Sequence, residues 1–138
     1  MSFREKSAWI QFVSIFLVAG FFFLHVPWGM RMEFGEELFQ GFLYCILALV
    51  VIEVAAHLAV ALKAPLDARA PKDERERLIE LKGIRIAYYV YVSGSMLALL
   101  TMHHGANMSA VGTFILLALV VALLVNYGSR IYFHRRGV

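Results

Sequence analysis

The sequence is poor in the residues that build disulfide-linked or soluble domains. It has one cysteine, three prolines and two tryptophans in 138 residues, and only 17% of its residues are charged. The single cysteine, Cys45, excludes an intrachain disulfide and any C-x-x-C motif. The low charge content excludes an ordinary soluble domain, in which about a quarter of the residues are charged. The net charge of +3 gives no argument for nucleic-acid binding, because the Lys and Arg residues flank apolar runs.

Familiar enzyme motifs are also missing from the sequence. It contains no phosphate-binding glycine loop, no G-x-S-x-G and no H-E-x-x-H. We therefore expect a protein that is not an enzyme and that binds no cofactor.

Long apolar runs dominate what is present. The chain is 61% hydrophobic with a mean hydropathy of +0.71. Four runs are long enough to cross a bilayer as helices, at about 7–26, 38–64, 84–102 and 110–131. In the polar loop 65–83, Pro71, Asp73 and Glu74 predict a helix that starts before the third span and continues into it. The fold class predicted is all-α: a polytopic four-helix transmembrane bundle forming a single domain, 1–138.

Basic residues are distributed unequally between the two ends of these spans. The loops after the first and third spans contain Arg31 alone, whereas the termini and the 65–83 region hold the other Lys and Arg residues. The positive-inside rule therefore predicts cytoplasmic N- and C-termini in a bacterial inner membrane.

Two titratable residues lie inside the second span. Glu53 and His57 are four residues apart, so they share one helix face, and each is costly in hydrocarbon. We expect a polar pocket open to the cytoplasm that they form with four other residues: Tyr88, Tyr91, Asn126 and Arg130. Three interpretations stay open. The pair holds the bundle in register by hydrogen bonds to Tyr88 or Asn126, it handles a proton or ligand, or Glu53 faces a partner chain.

Small residues of the second span predict a close helix–helix contact, within the chain or with a second copy. They are Gly41, Cys45, Ala48, Ala55 and Ala59. A homo-oligomer or a larger membrane partner is therefore an open possibility, besides contact with the lipid bilayer.

Three histidines fall on the predicted outer side, namely His25, His103 and His104. Imidazoles can bind zinc or copper, and His25 with His103 permits a haem. These histidines lack a recognised ligand spacing, so a metal or haem site is the least favoured expectation.

The runs KDERERLIELKGIRIAYYV, MSFREKSAWI and YGSRIYFHRRG carry a family resemblance. The pattern of Asp73, Glu74 and Arg75 followed by Ile79 and Lys82 resembles that of small bacterial four-span inner-membrane proteins with a D-E-R motif before the third helix. The resemblance implies a regulatory or sensing role and supplies no catalytic residue.

Three functions follow as hypotheses. The first is an accessory or regulatory membrane protein that acts by association through its contact candidates Asp73, Glu74 and Arg75. The second is a proton-linked transporter or binding protein that uses Glu53 and His57. The third is metal or haem binding at the outer face.

Overall fold

A computed structural model describes residues 3–63, 71 and 73–136. These residues form four long helices and one short 3-10 turn: α1 (Phe3–Leu24), α2 (Glu36–Lys63), α3 (Glu74–Leu100), the turn Thr101–His104, and α4 (Met108–Arg136). All four long helices are long and apolar enough to cross a membrane. The prediction of an all-α chain with four candidate membrane spans is confirmed.

The helix ends follow from local chemistry. At the start of α3, the Asp73 side chain accepts a hydrogen bond from the Glu74 backbone N–H at 2.8 Å, and Glu76 accepts one from the Asp73 N–H at 3.3 Å. This capping box satisfies backbone donors that the helix itself leaves free. It fixes the start of α3 ten residues before the predicted third span, so much of the predicted loop 65–83 is helical. Positions 65–70 and 72 of that loop, and position 64 before it, lie outside the described residues.

The helices pack in the order α2–α1–α4–α3. The extensive contacts join α3 to α4, α4 to α1, and α1 to α2. We call the end that holds Arg4, Glu76 and Arg135 the terminal end, because it contains the start of α1, the start of α3 and the last turn of α4. The opposite end, formed by residues 25–35 and 101–107, is the loop end. Because α2 and α3 lie at the two ends of this row, each is supported mainly by one neighbour.

The closest helix approach lies between α3 and α4. A Cβ atom added at Gly94 would stand 2.8 Å from the Ala118 Cβ, and one at Gly83 would stand 2.8 Å from Asn126 Oδ1. Glycine at both positions lets the two backbones approach closely.

The predicted close contact along α2 is wrong within this chain. A Cβ at Gly41 would meet nothing within 4 Å, and Ala48, Ala55 and Ala59 are exposed. In fact no residue of α2 is buried. Large apolar side chains face outward along most of the bundle, as expected where the surroundings are lipid.

Asn107 ties the loop end together. Its side chain donates to the Met32 carbonyl at 2.7 Å and accepts from the Ala110 N–H at 2.9 Å, while its backbone N–H donates to the Met30 carbonyl at 2.9 Å. A buried apolar cluster packs beside it, formed by Phe22, Val26, Met32, Ala106, Ala110 and Val111. The start of α4 is therefore fixed to the connection between α1 and α2.

Candidate functional site

Glu53 and His57 face α1, where each contacts a serine side chain. The Ser14 hydroxyl contacts Glu53 Oε1, and the Ser7 hydroxyl lies 2.7 Å from His57 Nε2. The other imidazole nitrogen, Nδ1, lies 2.8 Å from the Glu53 backbone oxygen and 3.2 Å from Glu53 Oε2. We call these four residues the α1–α2 polar cluster. The two helices run antiparallel, so the earlier serine, Ser7, contacts the later residue, His57, and Ser14 contacts Glu53. Each pair lies on one face of its helix, because the serines are seven residues apart and Glu53 and His57 are four apart.

Glu53 and His57 do not bond to Tyr88 or Asn126, so the prediction of these two partners is wrong. Asn126 accepts a hydrogen bond from Arg130 Nε at 3.0 Å, and Tyr88 is 60% exposed on α3. Tyr91 is 36% exposed on the same helix. The structure therefore does not bring the six predicted pocket residues together. They separate into the α1–α2 pair, the Asn126–Arg130 pair of α4, and two tyrosines on the surface of α3.

The serine partners leave a weak signal in the sequence. Ser14 is one of few polar residues in the first span, and Ser7 stands seven residues before it on the same helix face. The signal does not specify α2 as their neighbour.

A polar cavity of about 210 Å³ lies beside the cluster at the terminal end. Its lining comes from three helices and consists of Arg4, Ser7, Ala8, Gln11, Glu76, Ile79, Glu80, Arg130 and His134. Two ion pairs brace it: Arg4 Nε lies 2.5 Å from Glu76 Oε2, and Arg130 Nη1 lies 3.6 Å from Glu80 Oε1. Arg130 thus forms an ion pair that bridges α4 to α3.

The contact candidates have unequal roles. Asp73 caps α3, so its carboxylate is engaged with backbone donors. Glu74 and Arg75 are exposed at the start of the same helix. Two of the three candidates are therefore placed to meet another molecule, and the third supports the fold.

The histidines of the loop end do not form a metal cluster. Within the ranges described, no group of three or more His, Cys, Asp or Glu side chains is arranged to hold a metal ion. His25 Nδ1 lies 2.8 Å from the Phe21 carbonyl oxygen, and the adjacent His103 and His104 rings are 5.8 Å apart. The geometry gives the metal or haem hypothesis no support.

The tautomer of His57 follows from its contacts. In the neutral ring, Nδ1 carries the proton because it faces a carbonyl oxygen and a carboxylate, both acceptors, and Nε2 accepts from Ser7. An uncharged His57 and an ionised Glu53 therefore have compatible hydrogen bonds.

No protein-family model, curated protein or solved structure matches this chain.

Proposed function

We propose that the chain is a multi-pass protein of the bacterial inner membrane that binds and releases a proton at Glu53 and His57, linked to the binding or transport of a small molecule. The charge asymmetry supports a cytoplasmic position for the terminal end. The proposal rests on one observation, the incomplete hydrogen bonding of the Glu53 carboxyl group.

One oxygen of that carboxyl group is incompletely satisfied. Glu53 Oε2 is buried and, among the residues described, has no hydrogen-bond partner of good geometry; His57 Nδ1 lies near it at 3.2 Å. A pair that served only to join α1 to α2 would gain most by satisfying both oxygens, because a buried unpaired acceptor is unfavourable by about 1–3 kcal/mol. An unsatisfied buried polar atom calls for an explanation, and a functional role of the carboxyl group supplies one.

The Ser14 contacts accommodate a proton on Glu53. The Ser14 hydroxyl has one hydrogen but two close acceptors, the Ile10 carbonyl oxygen at 2.7 Å and Glu53 Oε1. With Glu53 ionised, Ser14 can donate to only one of them at a time. With Glu53 protonated at Oε1, the carboxyl donates to Ser14 and Ser14 donates to Ile10, so Oε1, the Ser14 hydroxyl and the Ile10 carbonyl are all satisfied. Both protonation states therefore fit the same side-chain positions.

A chain of polar contacts links Glu53 to the terminal end. Ser7 lines the 210 Å³ cavity there and contacts His57, which in turn adjoins Glu53. The polar lining and the volume suit several water molecules, each of which takes about 30 Å³ in the liquid. Glu53 lies ten residues from the end of α2, about 15 Å along the axis. A proton thus needs only the hydroxyl and the imidazole to pass from water to the carboxylate.

Infrared difference spectroscopy of the purified full chain tests this proposal. Over a pH titration, we expect a protonated-carboxyl C=O band that Glu53→Gln abolishes and that Ser14→Ala shifts in frequency, because the carboxyl loses its hydroxyl partner. Glu74→Gln is the matched control, since it removes an exposed carboxylate and should leave this band unchanged. Identical titrating bands in the wild type and the Glu53→Gln variant would contradict the proposal.

Association with another protein is a second candidate function, favoured by the exposed Glu74 and Arg75 and by the absence of buried residues in α2. Charge reversal at Glu74 and Arg75 with Asp73 retained changes the contact but keeps the cap of α3. If Glu74 and Arg75 form the contact with a partner, this variant loses the function of the protein in cells, while its thermal unfolding in detergent stays the same. A normal phenotype would refute the role.

A further inference from the structure

A large cavity lies at the loop end, between α1 and α2. Its volume is about 570 Å³, within the range of small-molecule sites. It is lined by Phe21, Phe22, His25, Pro27, Glu33, Gly35, Glu37, Leu38, Gly41 and Cys45. Neither the α1–α2 polar cluster nor the cavity at the terminal end includes any of these residues.

The rim of this cavity is negatively charged. Glu33 and Glu37 are both exposed, and the described parts of the chain contain no ion pair to either carboxylate. The lining carries neither Lys nor Arg. A cation entering the cavity therefore meets two carboxylates without displacing an existing partner, and it meets them where the apolar wall lowers the local dielectric.

The wall and the floor are apolar. The rings of Phe21 and Phe22 contribute to the wall, and aromatic faces attract organic cations. Cys45 and Phe22 also line a second, apolar cavity of about 220 Å³ between α1, α2 and α4. The apolar body of a ligand would therefore meet apolar side chains in the cavity while its charge stays at the rim.

From this charge complementarity we propose that the loop-end cavity binds an organic cation with an apolar aromatic or aliphatic body. Glu33 and Glu37 neutralise the charge, and Phe21 and Phe22 contact the body. The site is independent of proton binding at Glu53, because it opens at the other end of the bundle.

Binding of radiolabelled tetraphenylphosphonium to the full chain in a non-ionic detergent, measured by equilibrium dialysis, tests the charge. We expect the double substitution Glu33→Gln and Glu37→Gln to weaken binding about tenfold, since each partly exposed ion pair contributes a factor of up to about five. Glu36→Gln is the matched control. Glu36 neighbours Glu37 and bonds to Gln40, but it does not line the cavity, so its loss should change affinity less than twofold.

A second pair of variants tests the location. Gly41 lines the cavity and a Cβ there meets nothing within 4 Å, so Gly41→Leu fills the cavity without a clash at its Cβ. It should abolish binding, whereas Gly112→Leu on α4, which is also open and does not line this cavity, should leave it intact. The neutral triphenylphosphine oxide should bind more weakly than the cation. Equal affinities for cation and neutral probe, or wild-type affinity in both the double variant and Gly41→Leu, would overturn the proposal. The Glu53→Gln variant should bind the cation normally, which separates this test from that of the proton site.

Discussion

Alanine at Gly94 should force α3 and α4 apart. The new Cβ would lie 2.8 Å from the Ala118 Cβ, whereas ordinary contact begins at 3.4 Å, so the two helices must separate locally by at least 3.4 − 2.8 = 0.6 Å. Neither Cβ can rotate away, because each is fixed to its backbone. Overpacking of this kind is destabilising by about 1–3 kcal/mol.

Gly112→Ala provides the control within the partner helix. A Cβ at Gly112 meets nothing within 4 Å, so this substitution carries only the gain in helix propensity, up to about 1 kcal/mol. Gly94→Ala carries a similar gain, and the difference between the two variants isolates the clash. We expect Gly94→Ala to be less stable than Gly112→Ala by about 2 kcal/mol.

The assay is reversible unfolding of the purified chain in mixed micelles of increasing SDS content, followed by circular dichroism. A destabilised α3–α4 contact lowers the SDS fraction at the midpoint. Equal midpoints for the two variants would refute the close approach of α3 and α4 and, with it, the helix order proposed for the bundle.

Three further substitutions test individual contacts, the first two in the same unfolding assay and the third by amide exchange. Asp73→Ala removes the cap of α3 and should lower stability by about 1 kcal/mol; Glu74→Ala, an exposed neighbour, should not, and equal losses would contradict the capping role. Ser14→Ala leaves Glu53 Oε1 without its hydroxyl partner, so we expect a loss of about 1–3 kcal/mol. Ser93→Ala on the exposed face of α3 should have little effect, and a loss as large as that of Ser14→Ala would argue against the cluster. Asn107→Ala breaks two side-chain hydrogen bonds at the loop end and should speed amide exchange there, whereas unchanged exchange would show that the tie is dispensable.

The sequence was sufficient for the spans because their signal is local. Uninterrupted apolar runs give four helices, and the acids that follow Pro71 give the early start of α3 that the capping box confirms. The observed helix bounds differ from the predicted span bounds where polar turns of a helix continue beyond the apolar run. Helix α4, for example, extends over Met108–Arg136, whereas the predicted span is 110–131.

The partners of Glu53 and His57 were beyond the reach of sequence patterns. The spans are apolar around their whole circumference, so periodicity does not show which face of a helix meets which neighbour. Tyr88 and Asn126 lie at a suitable depth for His57, but the row order places α1 beside α2. The same uncertainty explains the wrong expectation for the small residues of α2: glycine at Gly83 and Gly94 makes the close contact instead.

The placement of polar contacts has a consequence for biogenesis. Within the first helix pair, α1 and α2, Ser7 contacts His57 and Ser14 contacts Glu53. Within the second pair, α3 and α4, Glu80 forms an ion pair with Arg130. The links between the pairs, such as Asn107 to Met32, lie at the rims. We therefore expect each hairpin to enter a bilayer with Glu53, His57 and Arg130 already paired inside it, so that the first hairpin can insert before the second has been synthesised.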